Sequence, residues 1–238
     1  MSGHDDDAPI LITGVGREGQ VGEAVARALA SFGSTLLLVD RREEQARERA
    51  AAIGGDSVRA FGYGCELADA AAVAALAARV RREHGERLRA LVHVAGGFAL
   101  SGSISESDVD VWRRMIDINL TTAYLVTRAF LPSVRAGKGS LVYFTSEAVS
   151  PGGRVANISA YAAAKAGVVS LMRSVAQEER GSGVRANALA PTSIRTAANL
   201  QSMGENVRYV EREEVAAVVA FLCSKASSGV TGQLIVLS

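Results

Sequence analysis

Cysteine is nearly absent from this 238-residue chain: Cys65 and Cys223 are the whole complement. Two thiols by themselves make neither a disulfide framework nor a metal site, so no metal is expected and each reads as a small buried apolar side chain. Nothing in this usage points to an oxidising compartment. Long hydrophobic runs are missing too. The longest, 215–223, has nine residues, whereas a membrane span needs about twenty. The opening Met1-Ser2-Gly3-His4-Asp5-Asp6-Asp7 is acidic and polar, without the basic start and apolar stretch of a secretory signal. We therefore expect a disordered tail over 1–8 and a soluble, cytoplasmic protein. An excess of one charge is also lacking: Lys plus Arg number 26, Asp plus Glu 25, for a net +1. That balance argues against a nucleic-acid or anionic-membrane surface as the main partner, and a small-molecule substrate is expected instead. What is present, 48% hydrophobic and 21% charged residues, is the composition of a foldable chain. At this length one domain over 1–238 is the default.

The order of patterns along the chain is regular. Ile10-Leu11-Ile12 is a short apolar run ending in a glycine-rich turn, and Gly22 to Phe32 follows with Val25, Leu29 and Phe32 on one helical face. A second run, 36–39, ends at Asp40, and Arg42 to Ile53 reads as a helix stopped by Gly54-Gly55. Val58 to Tyr63 reads as a strand; Asp69 caps a helix bearing Val73, Leu76 and Val80; Ala90 to Val94 is a further strand. Then come a long helix over 109–134, interrupted late by Pro132, a strand over 140–145, a helix over 160–180, a strand over 184–189, a helix over 212–224 and a last strand over 233–237. Strands that are apolar throughout and alternate with helices give a seven-stranded parallel sheet with helices on both faces, a doubly wound α/β fold. Ligands of such a sheet bind at the carboxyl ends of its strands, so function should lie just after Ile12, Val39, Val94, Thr145 and Leu189.

Two of those ends carry chemistry. After the first strand Gly14, Gly16 and Gly19 spell G-x-G-x-x-G, with a strand before and a helix after. Glycines admit a pyrophosphate close to the backbone, and the helix N-terminus supplies free N–H groups. Asp40, 21 residues past Gly19, ends the second strand, where a carboxylate accepts from ribose hydroxyls and repels a 2′-phosphate. Arg17, Arg41 and Arg42 pull the other way, and NAD(H) is favoured over NADP(H). In the 160–180 helix Tyr161 and Lys165 stand at i and i+4, one turn apart on one face. A free tyrosine titrates near about 10, and an adjacent ammonium lowers that value, making a phenol that exchanges a proton with an alcohol or carbonyl oxygen. Ser146 follows a strand at the same edge, where its hydroxyl reaches a substrate oxygen. Asn119 lies inside a helical pattern although asparagine forms helices poorly, which invites a specific role such as holding a water in a proton relay.

At this point the chain resembles the short-chain dehydrogenases/reductases over nearly its whole length. Thr13-Gly14 and the 21–26 stretch resemble that family's cofactor turn, and Cys65-Glu66-Leu67 stands where it has an acidic residue near the adenine. Ala95-Gly96 matches the end of its Asn-Asn-Ala-Gly motif, and Pro191-Thr192-Ser193-Ile194-Arg195-Thr196 resembles its Pro-Gly-x-x-x-Thr segment on the nicotinamide side. Asn119, Ser146, Tyr161 and Lys165 fall in the order of its catalytic tetrad. The resemblance implies a Rossmann-type fold and a nicotinamide-dependent oxidoreductase of ketones or secondary alcohols. It implies Tyr161 as general acid and base, Lys165 on the tyrosine and the nicotinamide ribose, Ser146 on the substrate carbonyl and Asn119 supporting a water relay. Cofactor contacts would then come from Gly14, Gly16, Gly19, Gln20, Val21, Asp40, Arg41, Glu66, Leu67, Ala95, Gly96, Tyr161, Lys165, Pro191, Ile194 and Thr196. A homodimer or homotetramer through the helices at 109–134 and 160–180 is also implied.

The chain departs from the family pattern in places. The glycine turn is two residues longer than usual, as in enoyl-carrier-protein reductases, and Gln20 takes the middle glycine's place. His93-Val94 replaces the two asparagines, and His93 reads as a strand-end histidine with a satisfied hydrogen bond. The stretch between Ile194 and Tyr209 is short, so a small lid is expected. Residues 92–97 and 196–203 resemble dihydropteridine reductases, which makes reduction of a quinonoid pterin-like ring the alternative chemistry. A non-catalytic dinucleotide sensor or scaffold is the alternative of a different class.

Overall fold

The computed structural model describes residues 8–55 and 58–238. Residues 1–7 of the expected tail lie outside the described residues, and Ala8, placed in that tail, is instead buried. Seven strands form one parallel sheet: β1 (Ile10–Thr13), β2 (Leu36–Asp40), β3 (Ala60–Gly64), β4 (Ala90–His93), β5 (Ser140–Phe144), β6 (Arg185–Pro191) and β9 (Leu234–Leu237), in the order β3-β2-β1-β4-β5-β6-β9. Leu11 pairs with Leu37 on one side and Leu91 on the other. The order reverses at β1 and β4, which sit side by side, so the cleft between the chains leaving them is the place for a ligand. This is the Rossmann-type fold that the alternation of strands and helices predicts.

The helices are α1 (Val21–Ala30), α2 (Glu43–Ile53), α3 (Ala70–His84), α4 (Val109–Ile116), α5 (Thr122–Ala136), α6 (Ser159–Glu178), α7 (Ala197–Met203) and α8 (Arg212–Cys223). They cover both faces of the sheet because alternate strand residues point to opposite sides. Leu11 joins α3, α5 and α6 side chains such as Leu76, Phe130 and Met172, while Ile10 and Ile12 join α1 and α8 side chains such as Val25, Leu29 and Val219. Cys65 and Cys223 are free and buried, as expected of small apolar residues. Asp69 caps α3 by accepting the N–H groups of Ala71 and Ala72.

Two expectations change. The helix expected over 109–134 is broken early by a π-turn, Asp117–Thr121, in which the Thr122 N–H reaches back five residues to the Asp117 carbonyl. Pro132 does not end it: α5 continues to Ala136, held by the buried Phe130, Ser133 and Val134 around the one missing donor. The segment after β6 also carries more structure than expected, with α7 and a two-stranded parallel pair, β7 (Ser193–Ile194) and β8 (Tyr209–Val210). Strands of two residues carry no readable periodicity.

Candidate active site and cofactor cleft

The long glycine turn between β1 and α1 is held from several sides. Gly14 has φ 77, and a Cβ on it would lie 2.6 Å from the Ala95 nitrogen, so the chains leaving β1 and β4 touch backbone to backbone. The Gly16 N–H donates to Asp40 Oδ2 at 2.8 Å and the Gly19 N–H to Glu23 Oε2 at 2.7 Å. Burial would raise the Glu23 carboxyl, but the Gly19 N–H and the guanidiniums of Arg27 and Arg49 outweigh it and hold the group below the usual carboxylate range. Arg212, the first residue of α8, donates to the Gly19 carbonyl at 2.5 Å. The turn is thus fixed before any ligand arrives.

Beyond it opens a cleft of about 580 Å³. Gly14, Gln20 and Val21 line it from the turn, Asp40 and Arg41 from the end of β2, Glu66 and Leu67 from the end of β3, and Ala95 and Gly96 from the end of β4. Arg17, Arg42, Gln45, Cys65, Arg114, Ile118 and Thr122 complete the wall with Gly97 and others.

Under the cleft floor runs a hydrogen-bonded chain whose directions are all determined. Thr122 donates its hydroxyl proton to the Ile118 carbonyl at 3.0 Å, so it must accept from His93 Nε2 at 3.2 Å. Burial, with Lys165 nearby, pushes His93 down to about 3, so the ring is neutral and its Nδ1 accepts from Thr13 Oγ1 at 3.0 Å. Thr13 Oγ1 in turn accepts the Ala95 N–H at 3.4 Å. His93 is therefore the Nε2–H tautomer, tying the start of the glycine turn to the π-turn.

The π-turn presents Asn119, which is fully buried. Its Nδ2 donates to the carbonyls of Met115 and Gly97, each at 3.0 Å, and its Oδ1 accepts the Gly97 N–H at 3.2 Å. The side-chain amide is spent on the protein, clipping the loop after β4 to the helix. A Cβ on Gly96 would lie 2.7 Å from Asn119 Oδ1 and 3.2 Å from Lys165 Nζ, so the glycine lets the backbone pass closely between the cleft and α6.

The strand β5 and helix α6 are stitched in both directions: Thr145 Oγ1 donates to the Lys165 carbonyl and Lys165 Nζ donates to the Phe144 carbonyl, both at 3.0 Å. This sets Ser146, just past β5, near enough to Tyr161 for its hydroxyl to favour the phenolate. Lys165 Nζ stands 5.7 Å from the centre of the Tyr161 ring. The expected lowering of the tyrosine by the ammonium is not what this arrangement produces. Burial raises the Tyr161 phenol, the Ser146 hydrogen bond alone opposes that rise, and burial drives Lys165 itself down to about 8. The reason is that Lys165 points its proton at a backbone carbonyl and is itself desolvated.

A model of the family described as Enoyl-(Acyl carrier protein) reductase matches residues 14–238. D-threitol dehydrogenase of Mycolicibacterium smegmatis is 32% identical over 98% of this chain and 92% of its own length. Meso-2,3-butanediol dehydrogenase of Serratia marcescens is 31% identical over 95% of this chain and 91% of its own. A solved short-chain type dehydrogenase/reductase from Mycobacterium ulcerans superposes with a TM-score of 0.86 at 31% identity, covering 97% of this chain and 88% of that one. The chain belongs to the short-chain dehydrogenase/reductase family. It is an oxidoreductase of alcohols or ketones, and the family's dehydrogenases use nicotinamide cofactors.

The cleft of this short-chain dehydrogenase/reductase fits such a dinucleotide. It lies at the point where strand order reverses, has a helix N-terminus on one wall and a carboxylate at the end of β2, and meets α6 across a glycine. Of the residues expected to hold the cofactor, Gly16 and Gly19 stand behind the wall, with their N–H groups engaged by Asp40 and Glu23. Tyr161, Lys165, Pro191, Ile194 and Thr196 lie outside the cleft lining; Thr196 caps α7 by accepting the Asn199 N–H at 3.2 Å. Arg114, Ile118 and Thr122 were not foreseen, because which face of a long helix meets the cleft is set by the π-turn and by packing.

Proposed function

We propose that the enzyme interconverts a secondary alcohol and its ketone with NAD(H), with Tyr161 as general acid in reduction and general base in oxidation. The observation that carries this is the pairing of Tyr161 with Ser146 one helical turn from Lys165, next to the glycine that separates them from the cleft. Tyr161 gives its proton to the substrate oxygen, Ser146 donates a hydrogen bond to that oxygen, and Asn119 supports the water relay by holding the π-turn in place. When bound, the nicotinamide supplies or accepts the hydride. Gly14, Gln20, Val21 and the start of α1 would hold the pyrophosphate, with Gly16 and Gly19 shaping the turn. Asp40 and Arg41 would hold the adenosine ribose, Glu66 and Leu67 the adenine, Ala95 and Gly96 the central backbone. Lys165, Pro191, Ile194 and Thr196 would hold the nicotinamide half.

Preference for NAD(H) rests on Asp40, whose charge lies in the cleft and repels a 2′-phosphate. Arg17, Arg41 and Arg42 line the same cleft and would pair with that phosphate. Titration with NADH and NADPH, followed by nicotinamide fluorescence, decides between them. Tighter NADH is expected, and tighter NADPH would overturn the preference. Tyr161→Phe should lower kcat by about 100-fold or more while cofactor affinity changes little; loss of both together would make Tyr161 structural. We further propose a homodimer or homotetramer built on α4, α5 and α6, where Val109, Trp112 and Tyr124 are exposed.

A further inference from the structure

The Phe98 ring is 59% exposed, yet it is not loose. Its edge meets the Tyr161 ring with centroids 5.1 Å apart at 80°. The loop that carries it is pinned at both ends to the two elements that carry the proposed catalytic residues. At one end Gly97 exchanges hydrogen bonds with Asn119. At the other, the Ser101 and Gly102 N–H groups and the Ser101 hydroxyl converge on the Asn157 carbonyl at 2.8, 3.2 and 3.2 Å. Ser101 Oγ also meets Ser159 Oγ at 3.3 Å, at the start of α6 and two residues before Tyr161. Asn157 holds φ 63, a left-handed turn conformation that asparagine adopts more readily than other non-glycine residues. Leu100 and Val155, on the two segments this clasp joins, are 69% and 48% exposed. Exposed apolar side chains on segments clasped to one another, one of them against the Tyr161 ring, mark a ligand surface.

The same segments are free of charge. Residues 94–105, 148–153 and 155–164 contain no Asp, Glu, Lys, Arg or His. Glu147 and Arg154, of opposite sign, flank the middle one. Arg195, in the segment after β6, is engaged by Glu211 at 2.7 Å and by the Tyr209 ring. The three segments themselves offer a charged substrate no ionic partner, and away from Glu147 and Arg154 desolvating its charge would go uncompensated.

We propose that the substrate is an uncharged, apolar cyclic alcohol or ketone whose oxygen-bearing carbon is part of the ring, and that Phe98 is the residue that selects it. This rests on the function proposed above. The test compares cyclohexanol, 2-propanol and the 4-hydroxycyclohexanecarboxylate anion as substrates with NAD⁺, in the full-length enzyme and in Phe98→Ala and Phe98→Leu. Cyclohexanol should exceed the other two in kcat/KM by at least about tenfold, within the 10–200-fold that apolar pocket contacts supply. Phe98→Ala should shrink the cyclohexanol to 2-propanol ratio at least about fivefold, with Phe98→Leu between. Calorimetric binding of cyclohexanone to NADH-loaded protein gives a readout besides turnover, and NADH affinity reports whether each variant is folded. Preference for the anion, preference for 2-propanol, or an unchanged ratio in Phe98→Ala overturns the proposal. Cyclohexanone binding that depends on Phe98, with no turnover of any alcohol, keeps this proposal and overturns the proposed reaction instead.

Discussion

At the scale of single residues, His93 makes the sharpest case. Replacing an asparagine of the family motif, it is enclosed at the end of β4 with both ring nitrogens engaged. Its folded value of about 3 lies below the unfolded one of about 6.5. As pH falls through that interval the unfolded chain gains a proton that the folded chain refuses, so stability is present above about 6.5 and is lost toward 3. At pH 4.5 the loss from this residue alone is roughly 3 kcal/mol. We expect His93→Asn to lose less stability between pH 7 and 4.5 by about that amount in urea unfolding; an equal loss in both proteins would show that His93 is protonated in place. The Tyr161 environment gives a second outcome. Ser146 alone opposes the rise that burial causes in the phenol, so Ser146→Ala should lower the rate and move the acidic, rising limb of the oxidation pH profile upward. A lower rate with an unmoved limb would confine Ser146 to the substrate. Lys165, driven down to about 8, makes the folded chain release its proton earlier than the unfolded one. Its contribution to stability therefore rises with pH between about 8 and 10.4. Lys165→Met should remove that rise in the same urea experiment, and a rise of equal size would place the titration elsewhere.

At the scale of elements, what was legible is what repeats. The 3.6-residue spacing marks the buried stripe Val73, Leu76 and Val80 of α3, and apolar runs mark the inner strands β1, β2 and β4 because both of their faces are covered. The π-turn was not legible as such. Its one trace in the sequence is Asn119, a poor helix former in a helical pattern, and the reason emerges only in three dimensions: its amide takes the Met115 carbonyl and both backbone groups of Gly97. Removing that amide leaves buried backbone groups unpaired, at about 1–3 kcal/mol each. Asn119→Ala should thus lose roughly 3 kcal/mol or more, with faster amide hydrogen exchange at Gly97. Unchanged exchange there would show that the loop is held by its clasp on Asn157 alone.

At the scale of the whole molecule, the parallel sheet with its two covered faces brings the ends of β1, β2, β4 and β5 to one edge. Thr13, Asp40, Gly96, Ser146 and Tyr161 come together there although up to 148 positions separate them along the chain. The exposed Trp112 on α4 belongs to this scale as well, since it is the chain's one tryptophan and bears on assembly. Trp112→Glu should convert the proposed oligomer to monomer by light scattering, because a buried carboxylate without a partner is costly at an interface. An intact oligomer in that variant would move the interface off α4.

The sequence by itself determined the fold class, the edge of the sheet where the cleft opens and the residue types gathered there, because hydrophobic period and motif order are local properties of the chain. Tertiary structure decided what those residues do to one another. It turned the N–H groups of Gly16 and Gly19 toward Asp40 and Glu23, aimed Lys165 at a carbonyl instead of at the phenol, gave His93 its tautomer and set Phe98 on Tyr161. Burial and hydrogen-bond direction depend on neighbours far away in sequence, and no spacing of residues along the chain encodes them.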